Sequence, residues 1–352
     1  MPLIILANYD DFLVFVSILR IILCIIPYFS IFNLLLIFLA FYDTISLVRI
    51  RGTLMRYNNL SGYFREKYGR RIKKICIDGG FSCPNRDGRC GHGGCIYCGE
   101  RGAGEHIDPT VSIKEQVQKE LLRGAEDDIF LAYFQNFTNT YADIKTLKER
   151  YDSALIDHRI KLLSIGTRPD CIDEDIATLI EAYTKTHEVW VELGLQTAND
   201  KTADLINRGY HRDIFERAME ILARHNIPVV VHLIVGLPSE GLDDIKATTE
   251  YLSTFKIFGI KIHSIYVMEN TTLAEMYKRG DYSPPTLEEY IESATYLITH
   301  IDPETVIHRI TGDCPENLLL APMWNKDKNS VIGAVQAELE EKNLRQGMYY
   351  KT

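Results

Sequence analysis

Residues 77–100 read IDGGFSCPNRDGRCGHGGCIYCGE and hold four of the chain's eight cysteines, Cys83, Cys90, Cys95 and Cys98. The segment directly follows a predicted strand and contains seven glycines. Glycine lets a backbone turn sharply and approach a bulky inorganic group closely. The spacing of Cys95 and Cys98 lets both thiolates reach one metal centre. The stretch therefore predicts a loop that binds a metal centre.

Two kinds of centre fit this loop. Four thiolates would close a tetrahedral zinc site, although zinc ribbons usually present two CxxC pairs and this loop has one. Three thiolates would instead hold an iron–sulfur cluster and leave one iron open to a small molecule. Disulfides fit least well, because eight cysteines in a chain of this length do not make a disulfide scaffold. Spacing alone leaves zinc and iron–sulfur both open.

The composition is that of an acidic globular chain. It has 352 residues, 46% of them hydrophobic, which is enough for one large domain or two smaller ones. The net charge is −9, so contact with a nucleic acid would need a local basic patch. Segment 56–74 is the best candidate, because seven basic residues alternate there with aromatic rings. An ordinary solvated helix is the alternative.

The first 54 residues differ from the rest. Residues 21–41 carry no charge over 21 positions, a length that spans a bilayer. Arg49 and Arg51 follow, so the positive-inside rule would keep the body of the chain cytoplasmic, tethered to the inner face of the membrane. The alternative is a cytoplasmic protein whose translation starts at Met55.

Short apolar runs alternate with amphipathic helical patterns along most of the remaining chain. Strands are predicted at 74–78, 129–134, 161–165, 189–193, 228–235 and 260–267, and helices at 112–123, 144–155, 173–183, 214–225 and 242–254. This alternation predicts an α/β fold with a parallel sheet. An incomplete (β/α) barrel and an open doubly wound sheet both fit. In either fold, functional side chains lie where strands end.

Three segments are predicted along the chain: the apolar segment 1–54, a domain at 55–270 and a C-terminal extension at 271–352. The extension contains a predicted helix at 286–300, a strand at 306–310 and a helix at 329–342. We therefore expect one α/β domain that continues into a short α/β extension.

Several further motifs accompany the cysteine loop. They are YFQNFTNTYA, IGTRPDC, VWVELGLQTAN, HLIVGLPSE, IKIHSIYV and RITGDCP. With GFSCPNRDGRCGHGGCIYC they make the chain, from Met55 almost to its end, resemble the YhcC/YtqA family of radical S-adenosylmethionine (radical SAM) proteins. That family is related to the radical SAM domain of the elongator catalytic subunit. The resemblance implies a partial (β/α)6 TIM-type barrel, and it favours the start at Met55.

The resemblance implies two cofactors, a [4Fe–4S] cluster and S-adenosyl-L-methionine. Cys83, Cys95 and Cys98 would hold the cluster as metal ligands, and Cys90 would be a bystander. The open iron would bind the methionine part of S-adenosylmethionine. One electron would then cleave a C–S bond and yield a 5′-deoxyadenosyl radical, which takes a hydrogen atom from the substrate.

Further residues are implied as contacts of S-adenosylmethionine. They are Gln135 and Thr138 after the second strand, Glu192 and Gln196 for the ribose hydroxyls, Arg208 for the methionine carboxylate, and Gly236 and Pro238 for the adenine. A solvated loop amide is the alternative for Gln135, and a surface salt bridge is the alternative for Arg208.

Other polar side chains at the strand ends have two interpretations each. His232 is either a satisfied core histidine or a site residue. Arg168 either binds an anion or pairs with Asp170. Strand alternation places His263 opposite Tyr266, so we expect only one of these two faces to carry chemistry.

The resemblance also implies a substrate, since the elongator relative acts on the wobble uridine of transfer RNA. Its most specific form is conversion of a carboxymethylaminomethyl group to aminomethyl. An electron donor such as flavodoxin or ferredoxin would be a partner. The extension is too short for an acetyltransferase domain. The alternative function is a zinc-stapled nucleic-acid-binding module without catalysis.

Overall fold

The computed structural model describes residues 55–102, 104 and 107–351. The chain divides into two units, 1–54 and 55–352, and the second is the subject here. The predicted membrane-spanning segment 21–41 lies outside the described residues. Within the described residues, no helix combines the length and apolarity needed to cross a bilayer.

Parallel strands form a curled half-barrel. The strands are β1 (Ile72–Ile77), β2 (Ile129–Phe134), β3 (Ile160–Thr167), β4 (Glu188–Gln196), β5 (Val229–Val235), β6 (Gly259–Ser264), β7 (Val267–Met268), β8 (Val306–Arg309) and β9 (Leu319–Ala321). The seven-stranded sheet has the order β1-β2-β3-β4-β5-β6-β8, and β7 pairs with β9 separately. A doubly wound sheet would reverse its strand order, and this sheet does not. The predicted partial barrel is therefore confirmed.

Helices follow most strands. They are α1 (Leu60–Tyr68), α2 (Ile113–Leu122), α3 (Ile144–Ala154), α4 (Glu174–Thr184), α5 (Asp200–Leu205), α6 (Arg212–Arg224), α7 (Leu242–Leu252), α8 (Thr272–Arg279), α9 (Leu287–His300) and α10 (Lys328–Glu341), with 3-10 turns at Pro169–Cys171 and Met323–Lys326. Side-chain caps start several of them, such as the reciprocal Ser112–Glu115 capping box of α2. These caps satisfy amide groups that would otherwise lack partners.

A small inner core closes the half-barrel at the start of its strands. Phe64 of α1 packs there against Leu131, Leu162, Trp190 and Val230. A much larger outer core lies between the sheet and the helices. Because α1 fills the amino ends of the strands, access to the interior is from their carboxyl ends.

The aromatic rings of segment 56–74 therefore serve packing. Tyr57 and Phe64 are only 7% and 6% exposed. The Tyr63 hydroxyl lies 2.5 Å from Glu188 Oε1, and the Tyr68 hydroxyl bonds to the same carboxylate. The expectation that this segment offers its rings to RNA bases is wrong for Tyr57 and Phe64, because burial withdraws them from any ligand.

The C-terminal extension completes the sheet. Strand β8, at the position predicted for a strand, pairs in parallel with β6. Helix α9 packs on α7 and on α10. The extension thus supplies one edge of the half-barrel.

Candidate active site

The cysteine loop, residues 78–102, is anchored by a buried carboxylate. Asp78 accepts hydrogen bonds from the Gly80 amide at 2.9 Å, from Asn136 Nδ2 at 2.8 Å and from Arg101 Nη2 at 3.0 Å. Arg101 lies at the far end of the loop, and Asn136 follows β2. One carboxylate therefore ties both ends of the loop to the sheet.

Asn85 holds the middle of the loop against the segment after α5. Its Nδ2 donates to the Asn207 carbonyl at 2.6 Å, and Asn207 Nδ2 donates back to the Gly94 carbonyl at 2.8 Å. A Cβ at Gly91 would lie 2.0 Å from Asn85 Oδ1, so glycine is required there. At this position glycine lets the loop pack on itself.

Arg86 connects the first cysteine of the loop to the last. Its amide donates to the Cys83 carbonyl at 2.8 Å. Its guanidinium donates to the carbonyls of Cys98 and Gly99 at 3.1 and 2.6 Å. These bonds hold Cys83 and Cys98 in one arrangement.

A cavity of about 230 Å³ lies inside the half-barrel, with the cysteine loop at its mouth. Cys83, Cys95 and Cys98 all line it. Thr138 also lines it, and its buried hydroxyl has no hydrogen-bond partner in the described part of the chain. Three thiols around one cavity are a donor set that fits an iron–sulfur cluster. Among the described residues, no three His, Cys, Asp or Glu side chains converge on a single metal ion, whereas the thiolates of an iron–sulfur cluster each bind a different iron.

Glu192 is the centre of a polar network at the closed end of the cavity. Its Oε2 lies 2.7 Å from His232 Nε2 and is ion-paired with Lys261, while its Oε1 accepts a hydrogen bond from Ser164 at 2.7 Å. Burial acts to raise the pKa of Glu192, but Lys261 and His232 outweigh it and hold that pKa well below its ordinary value. The carboxylate is therefore ionised.

Lys261, on β6, is almost fully buried beside this carboxylate. Its ammonium donates to the Tyr133 hydroxyl at 3.0 Å and lies 4.3 Å from the centre of that ring. Burial lowers the pKa of Lys261 to about 8. Burial also lowers the pKa of His232 and of His263. Both imidazoles are consequently neutral at neutral pH.

Comparison with known proteins identifies this arrangement. Residues 87–252 match the radical SAM superfamily, and residues 257–341 match the radical SAM C-terminal domain. The chain is 35% identical over 304 residues to YtqA of Bacillus subtilis, covering 85% of this chain and 94% of YtqA. It is 36% identical over 274 residues to YhcC of Escherichia coli, covering 77% of this chain and 88% of YhcC. The chain belongs to the YhcC/YtqA family of radical SAM proteins.

More distant relatives share part of the chain. A tRNA uridine(34) acetyltransferase of Methanocaldococcus jannaschii is 30% identical over 191 residues, which are 53% of this chain and 34% of that protein. The archaeal Elp3 of Methanocaldococcus infernus has the same fold, with a TM-score of 0.60 at 22% identity over 78% of this chain and 64% of that one. The predicted cofactors of this radical SAM enzyme, a [4Fe–4S] cluster and S-adenosylmethionine, are confirmed by its family.

Seven predicted cofactor contacts of this radical SAM enzyme line the one cavity. They are Cys83, Cys95, Cys98, Gln135, Thr138, Glu192 and Gln196. Gln196 has a φ of 60° where β4 bulges against β5, and its Oε1 accepts a hydrogen bond from Tyr210 at 3.2 Å. The carboxylate of Glu192 is already engaged by Lys261 and His232.

Arg208 was expected at the methionine carboxylate, and the structure places it elsewhere. It is fully buried and is not among the described residues that line the cavity. Its Nη1 donates to the Thr197 carbonyl at 2.7 Å and its Nε to the Tyr210 carbonyl at 2.9 Å. Its Nη2 also lies 3.6 Å from Asp200 Oδ1, but this ion pair is not at the surface, because Arg208 is fully buried and its guanidinium holds the backbone after β4. A contact between Arg208 and the methionine carboxylate stays a prediction.

Gly236 and Pro238 are likewise not among the described lining residues. The Gly236 carbonyl accepts a hydrogen bond from the Tyr282 hydroxyl at 2.5 Å. A Cβ at Gly236 would lie 2.6 Å from Pro285 Cδ. The segment before α9 therefore occupies the space beside this turn, and an adenine contact for it stays a prediction.

His263 and Tyr266 were expected on opposite faces, and this expectation is wrong. Both line a second cavity of about 150 Å³, which shares Tyr97, Gln196, His232 and His263 itself with the first. Strand β6 ends at Ser264, so its alternation does not continue to Tyr266.

Arg168 forms the predicted pair with Asp170. Its Nε and Nη2 lie 2.9 and 2.8 Å from the two carboxylate oxygens. Arg168 also lines the cavity. Cys90 is exposed, and its sulfur lies 3.6 Å from Arg168 Nη2, while it is not among the described lining residues. Its role as a bystander stays a prediction.

Several lining residues were missed in the sequence. They are Lys74, Arg86, Tyr133, Tyr210 and Arg309. The position of Lys74 could have been predicted. It precedes the apolar Ile75 on the first predicted strand, and neighbouring residues of a strand face opposite sides of the sheet. The position of Arg309 could not, since the seventh strand joins the barrel by a non-local pairing.

Proposed function

We propose that this radical SAM enzyme modifies the side chain of a wobble uridine in transfer RNA. The most specific form is conversion of a carboxymethylaminomethyl group to aminomethyl. With S-adenosylmethionine as the net two-electron oxidant, the N–CH2 unit beside the carboxylate would become an imine, which water would hydrolyse to the amine and glyoxylate. The similarity to a tRNA uridine(34) acetyltransferase over 191 residues supports a uridine substrate. The chain spans only 34% of that relative, so acetyl transfer does not form part of the proposal.

The observation that carries the proposal is that the cysteine loop and a charged network line the same cavity. Three thiols stand at its mouth, and a polar network of Glu192 and Lys261 lies at its closed end. A substrate group that enters this cavity is held between the cysteine loop and charged side chains. Hydrogen abstraction needs this kind of enclosure, because water and stray hydrogen donors must be kept away.

Cys83, Cys95 and Cys98 hold the cluster in this proposal, and Arg86 keeps their loop in place. When bound, the cluster would supply the electron for reductive cleavage of S-adenosylmethionine to methionine and a 5′-deoxyadenosyl radical, and a hydrogen atom of the substrate would pass to that radical. Gln135, Thr138 and Gln196 offer polar groups to S-adenosylmethionine along the cavity wall. A flavodoxin or ferredoxin is the proposed electron donor.

Anaerobic purification tests the chemistry. We expect a brown protein with about four irons per chain, which forms 5′-deoxyadenosine from S-adenosylmethionine under a reductant. A colourless protein that contains zinc and leaves S-adenosylmethionine intact would contradict the proposal.

Nucleoside mass spectrometry tests the substrate separately. Transfer RNA from a strain without the gene is compared with transfer RNA from its parent. We expect the carboxymethylaminomethyl wobble uridine to accumulate and the aminomethyl form to be depleted. Unchanged wobble uridines would exclude this substrate and leave the radical chemistry standing.

A further inference from the structure

The closed end of the cavity is rich in positive charge. Of the described side chains that line the cavity, five are Lys or Arg and only Glu192 is a carboxylate. Arg86 belongs to the cysteine loop and bonds to its carbonyls, and Arg168 pairs with Asp170. The remaining three are Lys74, Lys261 and Arg309, and they surround Tyr133 and Glu192.

Glu192 compensates only one of these three cations. It is ion-paired with Lys261, and the two side chains are 3% and 10% exposed. Lys74 forms no ion pair within the described residues, and its ammonium lies 5.2 Å from the centre of the Tyr133 ring. Arg309 reaches Asp313 Oδ2 at 3.4 Å, on the more exposed side. Of these three cations, only Lys74 has no ion-pair partner among the described residues, and it is exposed.

Lys74 and Arg309 lie on the two edges of the half-barrel. Lys74 is on β1 and Arg309 is on β8, the first and last strands of the sheet. Ile75 and Ile77 of β1 belong to the outer core, so Lys74 faces inward. Curling of the sheet brings both edge strands to one cavity, where the two cations form a pair of potential anion contacts.

The three cations repel one another. Burial lowers the pKa of Lys261 to about 8, and repulsion from Lys74 and Arg309 adds to this although Glu192 opposes it. Glu192 and Asp313 offset two of these charges, and the exposed Lys74 is left for an anion that enters the cavity. The arrangement is understandable when a negatively charged group arrives with the substrate.

We propose that Lys74 and Arg309 bind a carboxylate carried by the substrate, in the cavity that the Glu192–Lys261 pair also lines. This inference rests on the proposed function, and it names the substrate as a nucleoside with an anionic side chain. A carboxylate at the end of a base substituent reaches the closed end of a cavity of about 230 Å³. A phosphate of the RNA backbone could enter the cavity only together with the ribose to which it is bonded. Lysine and arginine are the natural partners of such a group.

Equilibrium binding to the reconstituted holoenzyme tests the site. The probes are 5-carboxymethylaminomethyluridine, 5-aminomethyluridine, which lacks the carboxylate, and uridine 5′-monophosphate. Lys74→Met and Arg309→Met are expected to weaken binding of the first probe about tenfold each, and to leave the second unchanged. Lys73→Met is the matched control, because Lys73 is the neighbour on β1 and pairs with Asp128 on the outside.

Three results would overturn the inference. One is equal affinity of the wild type for the two modified nucleosides. Another is unchanged binding of the carboxylate probe in both variants, with melting temperatures equal to that of Lys73→Met. The third is a loss confined to uridine 5′-monophosphate, which would make the anion a phosphate.

Complementation separates this inference from the proposed function. The gene-deletion strain receives the wild-type gene or the Lys74→Met gene, and its wobble uridines are measured. If the Lys74→Met gene restores the wild-type wobble uridines as fully as the wild-type gene does, the carboxylate contact is refuted and the proposed function stands. Wobble uridines that the deletion never altered would refute the function itself.

Discussion

His232 Nε2 lies 2.7 Å from Glu192 Oε2, the carboxylate oxygen that also pairs with Lys261. A neutral imidazole and a buried ammonium thus share one carboxylate at the closed end of the cavity. Buried ion pairs are costly to break from one side, because the remaining charge stays desolvated. The network consequently matters for stability as well as for the site.

Glu192→Gln should destabilise the protein by about 3 kcal/mol, because Lys261 would be left buried without its counter-charge. Glu192→Gln combined with Lys261→Met should recover a large part of that loss. Urea denaturation of the reconstituted proteins measures both, with Glu250→Gln on the exposed face of α7 as the control. Equal stability of Glu192→Gln and Glu250→Gln would contradict this prediction.

Arg208→Lys should lower the free energy of unfolding by about 2 kcal/mol, because lysine cannot replace a buried fork of guanidinium hydrogen bonds. Binding of S-adenosylmethionine to the folded fraction should be unchanged. Thermal denaturation and calorimetric titration check the two expectations, with the exposed Arg217→Lys as the control. Normal stability with weakened binding would instead restore the methionine-carboxylate role of Arg208.

Cys83→Ala, Cys95→Ala and Cys98→Ala should each lose most of the bound iron and the formation of 5′-deoxyadenosine. Cys90→Ala should keep both, because that thiol is exposed and lies beside Arg168 outside the cavity lining. Iron analysis after anaerobic reconstitution decides the matter. Iron loss in Cys90→Ala equal to that in the other three variants would make Cys90 a ligand.

His225 should make stability depend on pH. Its Nδ1 and Nε2 lie 2.6 and 3.0 Å from Glu181 and Glu174, which raise the pKa of His225 above its ordinary value of 6.5. Protonated His225 is therefore favoured in the folded state, and its contribution is full below the ordinary pKa and is lost as pH rises through the folded one.

The stability difference between wild type and His225→Gln should accordingly be larger at about pH 5.5 than at about pH 8.5. Urea denaturation at both pH values measures it. A difference that does not change with pH would show that the two carboxylates do not act on His225 in solution.

The alternation of apolar strands and amphipathic helices was enough to predict the elements of the barrel. The six predicted strands and the strand at 306–310 all exist: 129–134 is exact, 260–267 is divided into β6 and β7, and the others have shifted ends. The residues could not separate a partial barrel from a doubly wound sheet, because both use the same strand–helix units. Strand order depends on pairing between distant segments, which local patterns do not encode.

The site divides in the same way. The cysteine loop and the strand-end motifs named side chains that line one cavity, among them Cys83, Cys95, Cys98, Thr138 and Gln196, and their contacts with the cofactors stay predictions. Motif position also suggested a cofactor contact for Arg208, which is buried among backbone carbonyls. Gln196 and Arg208 are close in sequence, but one lines the cavity and the other is buried. The difference depends on which parts of the chain pack against each side chain, and the local sequence does not show this.

The sequence by itself determined the family of the chain, because the cysteine loop and the strand-end motifs are local features that resemble radical SAM proteins, whereas cysteine spacing alone left zinc and iron–sulfur both open. Only the tertiary structure decided that α1 fills the amino end of the barrel and that Lys74 and Arg309 meet at one cavity. Those two cations are 235 residues apart along the chain. They come to one cavity because the sheet is curled. The curl results from the twist between neighbouring strands, added up over the sheet, and from the pairing of strands that are distant in sequence.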